Sequence, residues 1–135
     1  MNGSSIQSES DGITNSENII TITAYGNYEF TGSLTDGQIV VDIEEDIISG
    51  VPKSSGTTSD GIVRLILNGV DISNLTTSPI YIANSDKTII VLNSNTENYL
   101  KDGSSYSFAS TDEDEPNATL FSKDDMTIFG NGTLT

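Results

Sequence analysis

The segment Asp60-Gly61-Ile62-Val63-Arg64-Leu65-Ile66-Leu67-Asn68 overlays on Ser85-Asp86-Lys87-Thr88-Ile89-Ile90-Val91-Leu92-Asn93 at a spacing of 25 residues. Asp86-Lys87-Thr88-Ile89 overlays in turn on Asp125-Met126-Thr127-Ile128 at a spacing of 39, and the extra 14 residues match the length of a polar insert from Ser104 to Asn117. A second series precedes the first: Gln38-Ile39-Val40-Val41-Asp42, Pro79-Ile80-Tyr81-Ile82-Ala83 and Thr119-Leu120-Phe121-Ser122-Lys123 hold the same place in successive repeats. A period in the twenties with one strand pair per repeat marks a solenoid, whose coils bury their apolar side only by stacking on one another. The expected fold is therefore all-β, a right-handed parallel β-helix. Inward Ile, Val and Leu would stack along its axis, with Asn68 and Asn93 laddered at a shared corner.

Local signals agree on strands and differ on how they are joined. Short β-branched runs alternate with turn pairs, and no segment carries a helical period. Asp36-Gly37, Asn68-Gly69 and Asp102-Gly103 ordinarily close hairpins, which keeps an antiparallel β-sandwich as the alternative fold. Residues 1–18 are small and polar and are expected to be a flexible segment or cap. Residues 19–135 are then one domain, with a polar and acidic insert at 104–117.

The chemistry is narrowed by what is missing. With no Cys and no His, disulfides, zinc sites, thiol nucleophiles and histidine bases are excluded, and only oxygen ligands remain. Five basic residues stand against 20 acidic ones, a formal charge of −15. Nucleic acid and anionic membranes would be repelled, and an acidic partner would need a cation between. Oxygen-rich acidic surfaces suit calcium, which is the expected cofactor. No apolar run is long enough to span a bilayer. Met1-Asn2-Gly3-Ser4-Ser5 does not read as a signal peptide. The acidic, cysteine-free composition nevertheless suits a secreted or cell-surface product whose leader is absent from this sequence.

Taken together, Thr35 to Val41, Val63 to Ile72, Pro79 to Ile82 and Leu120 to Ile128 resemble a bacterial carbohydrate-binding family. It is the secreted, clostridial-type group that binds acidic sugars such as polygalacturonate, and also cellulose. The strings Leu67-Asn68-Gly69-Val70-Asp71-Ile72 and Phe121-Ser122-Lys123-Asp124-Asp125 are specific in combination. The resemblance runs from Ile19 to Thr135 and implies a parallel β-helix with bound calcium, related in shape to pectate lyases. The family continues with further coils where this chain stops at Gly130-Asn131-Gly132-Thr133-Leu134-Thr135, so about half of such a solenoid is expected to be absent.

Candidate residues follow from the stacked register. Asp125 is expected one coil above Asp86, beside Asp124, with Asp60 near the same corner one coil below. Like charges at the intercoil spacing of about 4.8 Å repel unless an ion relieves them. Calcium would staple the coils there; the plainer reading is a solvated acidic corner. Asp112, Asp114 and Glu115, with Asn117, could add ligands from the insert, although such a run is most often a solvated loop. Asp42 with Glu44-Glu45-Asp46 is a weaker cluster of the same kind. Lys123, Lys87 and Arg64 are the cations placed to meet uronate carboxylates, or simply to neutralise nearby Asp. Tyr81, between Ile80 and Ile82, should point outward and offer a face to a sugar ring.

The expected function is a non-catalytic binding module for acidic plant-wall polysaccharide, with calcium bridging protein and uronate carboxylates. A calcium-dependent lyase with Lys123 as base is a lesser alternative. A third is structural: a solenoid lacking a polar cap presents an open edge and could stack end to end into filaments.

Overall fold

The computed structural model describes residues 13–16, 18–43, 45–46, 51–52, 62–106 and 118–135. Those residues form strands and no helix: β1 (Ile13–Ser16), β2 (Ile19–Ile22), β3 (Gly26–Leu34), β4 (Gln38–Asp42), β5 (Glu45–Asp46), β6 (Val51–Pro52), β7 (Ile62–Ser73), β8 (Ile80–Asn84), β9 (Lys87–Leu92), β10 (Glu97–Lys101), β11 (Leu120–Ser122), β12 (Met126–Gly130) and β13 (Thr133–Leu134). One sheet runs β1-β2-β4-β8-β11. The other runs β12-β9-β7-β10-β13, with β3 also on β7, and β5-β6 form a small separate ladder.

Pairing within both large sheets is parallel, apart from β1 on the edge of β2. The chain crosses from one sheet to the other and back: β2 to β3, β4 to β7, β8 to β9 and β10, β11 to β12 and β13. Parallel neighbours cannot be joined by a tight hairpin, and the suspected hairpin turns are used otherwise. Asp36-Gly37 carries the chain from β3 in one sheet to β4 in the other, and Asn68-Gly69 lies inside the 12-residue strand β7.

The β-branched residues occupy alternate positions, so each strand turns one face inward. Ile20, Ile39, Ile80 and Leu120 align across the first sheet, and Tyr28, Leu65, Ile90 and Ile128 across the second. Most of these side chains are fully buried, each contributing about 1.5–3 kcal/mol by leaving water. The Tyr28 hydroxyl, inside this core, donates to the Ala24 carbonyl at 2.6 Å.

Two expected details are corrected. The pairing of β9 with β7 has the spacing of 25 read from the sequence, but β12 lies on β9 with Met126 opposite Thr88, a spacing of 38 and not 39. A slip of one residue exchanges the faces of a strand, and the observed register places Ile128 over buried Ile90, in line with the core column. The expected Asn68–Asn93 ladder is absent: Asn68 Nδ2 donates to Glu29 at 3.3 Å, and Asn93 Oδ1 accepts from the Ser94 amide.

The corner asparagines are instead Asn98 and Asn74. Opposite Thr31, β7 carries the extra residue of a bulge, with Gly69 at φ +81°. The bulge aims the Gly69 and Val70 amides at Asn98 Oδ1, at 2.9 and 3.0 Å. Asn98 Nδ2 donates onward to the Thr133 carbonyl at 3.1 Å, so one buried side chain joins β7, β10 and β13.

Candidate functional site

The acidic corner is formed by the turns that follow β8 and β11. Asp86, Asp124 and Asp125 are all exposed there. Extending the β9–β12 register places Asp124, not Asp125, level with Asp86, and Asp125 level with Lys87. Asp124 is already engaged in the fold, since its Oδ2 accepts from the Ser85 amide at 2.9 Å and its carbonyl accepts from Ser122 Oγ at 2.7 Å. It thus caps the turn one pass below.

No group of three or more acidic side chains gathers to hold a metal among the described residues. These carboxylates therefore do not by themselves compose a calcium cage, which needs six to eight oxygens. Asp60, Asp112, Asp114 and Glu115, with Glu44 and Asn117, lie outside the described residues. Asp42 ends β4 level with Asn84 and is half-buried, while Glu45 and Asp46 form β5.

The four expected sugar contacts divide between the sheets. Tyr81 points away from the core, between fully buried Ile80 and Ile82, in an outer column with Thr21, Val40 and Phe121. Its ring meets Phe121 edge to face, with centroids 5.9 Å apart at 60°. Lys123 is exposed just past β11. Arg64 and Lys87 lie on the outer face of the second sheet, where Arg64 Nη1 donates to Asn27 Oδ1 at 3.3 Å. Exposed Phe129 continues that face in a column with Glu29, Ile66 and Val91.

A feature that no sequence signal singled out is a groove of about 690 Å³ between the ends of β7 and β10. Asp71 and Ser73 come from β7, Leu75 from the turn after it, and Lys101 and Asp102 from the end of β10. Lys101 pairs with Ser73, and Tyr99, 42% exposed, pairs with Asp71 and donates its hydroxyl to Glu97 Oε1 at 3.4 Å. The Tyr106 hydroxyl donates to the Asp102 carboxylate and holds it below the ordinary carboxylate range. These residues are about 30 positions apart in the chain, which hides the site from any local motif. The alternation of Asn98 and Leu100 with Tyr99 and Lys101 was the one available clue, and the polar inward residue Asn98 masked it.

Comparison with known proteins gives concordant results. The family described as "Carbohydrate-binding domain-containing protein" matches residues 16–135. A curated relative with that same description, from Acetivibrio thermocellus, is 39% identical over 125 residues, 93% of this chain and 39% of its own length. A solved structure, a polysaccharide lyase-like protein from C. thermocellum studied as a gadolinium derivative, superposes with a TM-score of 0.77 at 38% identity. That alignment covers 92% of this chain and 44% of the other. The chain thus spans about two fifths of the length of the proteins it matches.

Proposed function

Since the chain belongs to the carbohydrate-binding domain-containing protein family, we propose that it is a non-catalytic module for acidic plant-wall polysaccharide, its coils forming a parallel β-helix. The family match over residues 16–135 carries the carbohydrate reading. A chain of net charge −15 cannot hold a polyuronate directly, and calcium bridging Asp86, Asp124 and Asp125 to uronate carboxylates supplies the missing positive charge. The sugar's own carboxylates then complete a shell that the described side chains leave short. Asp112, Asp114 and Glu115 of the insert are further donors in this reading. Lys123, Lys87 and Arg64 neutralise uronate charge beside the ion, and Tyr81 offers an apolar ring to a sugar face. Such a module acts outside the cell, on secreted or surface-attached protein.

The test is affinity electrophoresis through polygalacturonate with calcium and again with chelator. Retardation only with calcium is the expected result. Equal mobility in both gels, with or without retardation, sinks the bridging mechanism.

The description of the solved relative as polysaccharide lyase-like favours one second reading, β-elimination with exposed Lys123 as the base. Unsaturated uronide products that vanish in Lys123→Ala would establish it; their absence in calcium leaves the module as a binder.

A further inference from the structure

The chain carries the Asn-Gly pairs Asn2-Gly3, Asn68-Gly69 and Asn131-Gly132, of which the last two lie among the described residues. Such a pair is chemically reactive. The glycine amide nitrogen, with no Cβ in the way, can reach the asparagine Cγ and close a five-membered ring. Closure needs that nitrogen released from its hydrogen bond and the peptide free to rotate. The fold treats the two described pairs in opposite ways.

Asn68-Gly69 is locked inside β7, which is paired along both edges, by β3 on one and by β9 and β10 on the other. The Gly69 amide donates to buried Asn98 Oδ1 at 2.9 Å, and Asn68 Nδ2 donates to Glu29 Oε2 at 3.3 Å. Asn131-Gly132 occupies the bend between β12 and β13, and the Asn131 side chain is exposed and makes no hydrogen bond among the described residues. The Gly132 amide donates to the Leu92 carbonyl at 3.2 Å, the long end of the N–H···O range. A Cβ at position 132 would run into the Asn93 carbonyl, so packing demands glycine there, whereas no described hydrogen bond demands the asparagine before it.

We propose that Asn131 is a site of spontaneous deamidation through a succinimide, and that the isoaspartate it yields loosens β13 from β10. The Gly132 nitrogen gives its proton to hydroxide and attacks Asn131 Cγ. The N–Cγ bond forms, the Cγ–Nδ2 bond breaks, and Nδ2 leaves as ammonia after taking a proton from water. Water then opens the ring at either carbonyl, leaving aspartate or, where the main chain now runs through Cγ, isoaspartate. Solvent water is the co-reactant, and no electrons are exchanged. Isoaspartate lengthens the backbone by one carbon just before a tightly anchored corner. There the Gly132 amide is bonded to Leu92, the Thr133 amide to the Thr96 carbonyl at 2.9 Å, and the Thr133 carbonyl to Asn98 Nδ2 at 3.1 Å. The added carbon shifts the chain against all three. This reaction is independent of the carbohydrate reading.

The test incubates the full chain at mildly alkaline pH, folded in one arm and in concentrated urea in the other, and follows both pairs by peptide mapping with mass spectrometry. In the folded chain Asn131 should convert at least about tenfold faster than Asn68, and in urea the two rates should agree within about threefold, since only the fold distinguishes them. Hydrogen exchange at the Thr133 and Thr135 amides, bonded to Thr96 and Asn98, should be faster in the aged chain than in the fresh one. Asn131→Gln, which would have to close a slower six-membered ring, should neither convert nor loosen. Fresh Asn131→Asp carries the added charge without the added carbon and should keep both amides protected. Equal conversion of Asn131 and Asn68 in the folded chain overturns the site, as does an Asn131 that reacts about tenfold slower folded than in urea. Unchanged exchange in chain carrying isoaspartate, or equal loosening in fresh Asn131→Asp, overturns the structural consequence.

Discussion

Asn98 Oδ1 accepts the Gly69 amide at 2.9 Å, tying the bend of β7 to β10 on the next pass of the chain. The same oxygen accepts the Val70 amide, so one buried side chain answers two backbone donors that the bulge removes from the strand ladder. Replacing Asn98 with Ala or Leu leaves both donors orphaned. Each substitution should cost at least about 2 kcal/mol, read as a lower urea midpoint. A midpoint unchanged in Asn98→Ala would show that the bend holds without this side chain.

Two glycines should fail for different reasons. At Gly69 a Cβ meets nothing within 4 Å, so Gly69→Ala carries only the conformational cost of φ +81°, about 1–2 kcal/mol. At Gly103 the obstacle is steric, because the Leu75 backbone blocks a side chain. Gly103→Ala should displace the turn after β7 and lower the urea midpoint further than Gly69→Ala does. Amide NMR shifts separate the two causes: Gly103→Ala should move those of Leu75 and its neighbours while Gly69→Ala leaves them in place, and unmoved Leu75 shifts in Gly103→Ala would remove the clash.

Asp124 serves the turn as well as any ion. Asp124→Ala loses the acceptor for the Ser85 amide and should lower stability by about 1 kcal/mol even in chelator. Asp124→Asn keeps an acceptor and should retain that stability while weakening calcium-dependent retardation by polygalacturonate. Equal retardation in Asp124→Asn and the unaltered chain would remove Asp124 from the bridging set.

Burial raises the Tyr28 phenol above its ordinary value, and burial followed by the Asp102 hydrogen bond raises Tyr106. A phenol with a folded pKa above its unfolded one contributes stability that is whole below about pH 10 and is lost as pH rises through the folded value. Thermal midpoints should therefore fall above about pH 10. Tyr28→Phe should be about 1 kcal/mol less stable near neutrality, having lost its bond to Ala24, and should show a shallower alkaline decline. An equally steep decline in the variant would assign the loss to other groups.

Asp102 acts at the other end of the pH scale. Its carboxyl is lowered chiefly by the Tyr106 hydrogen bond, so its contribution is present above the unfolded carboxylate value and is lost as pH falls through the folded one. Following the Asp102 carboxyl by NMR should show Tyr106→Phe moving its titration upward toward the ordinary range. No movement would mean that the hydrogen bond does not set it.

Much of the strand pattern was legible because burial alternates residue by residue. Gln38, Pro79 and Thr119 begin equivalent segments in the sequence, and in the structure Ile39, Ile80 and Leu120 align one residue later. The spacing of 25 between β7 and β9 was equally clear, since no insert separates those passes. Across the insert at 104–117 the sequence pointed to 39, one residue off the observed register. Asp86 and Asp125 look alike in the sequence, whereas the structure sets Ile128, 42% exposed, opposite buried Ile90. The strand β10 escaped notice because its inward residue is Asn98, which is stable inside only where a bulge supplies donors.

By itself, then, the sequence determined that the chain is all-β, that apolar residues repeat with the period of a strand, and that oxygen is the available ligand chemistry. Each is a property of composition or of neighbouring residues, and side-chain alternation is set locally by the backbone. Tertiary structure decided which passes pair in parallel, where Gly69 bends the second sheet, and that Asp71 and Lys101 share a groove. Those facts depend on contacts between residues tens of positions apart. Only the stacked chain, where one pass supplies the donors that the next must answer, brings such residues together.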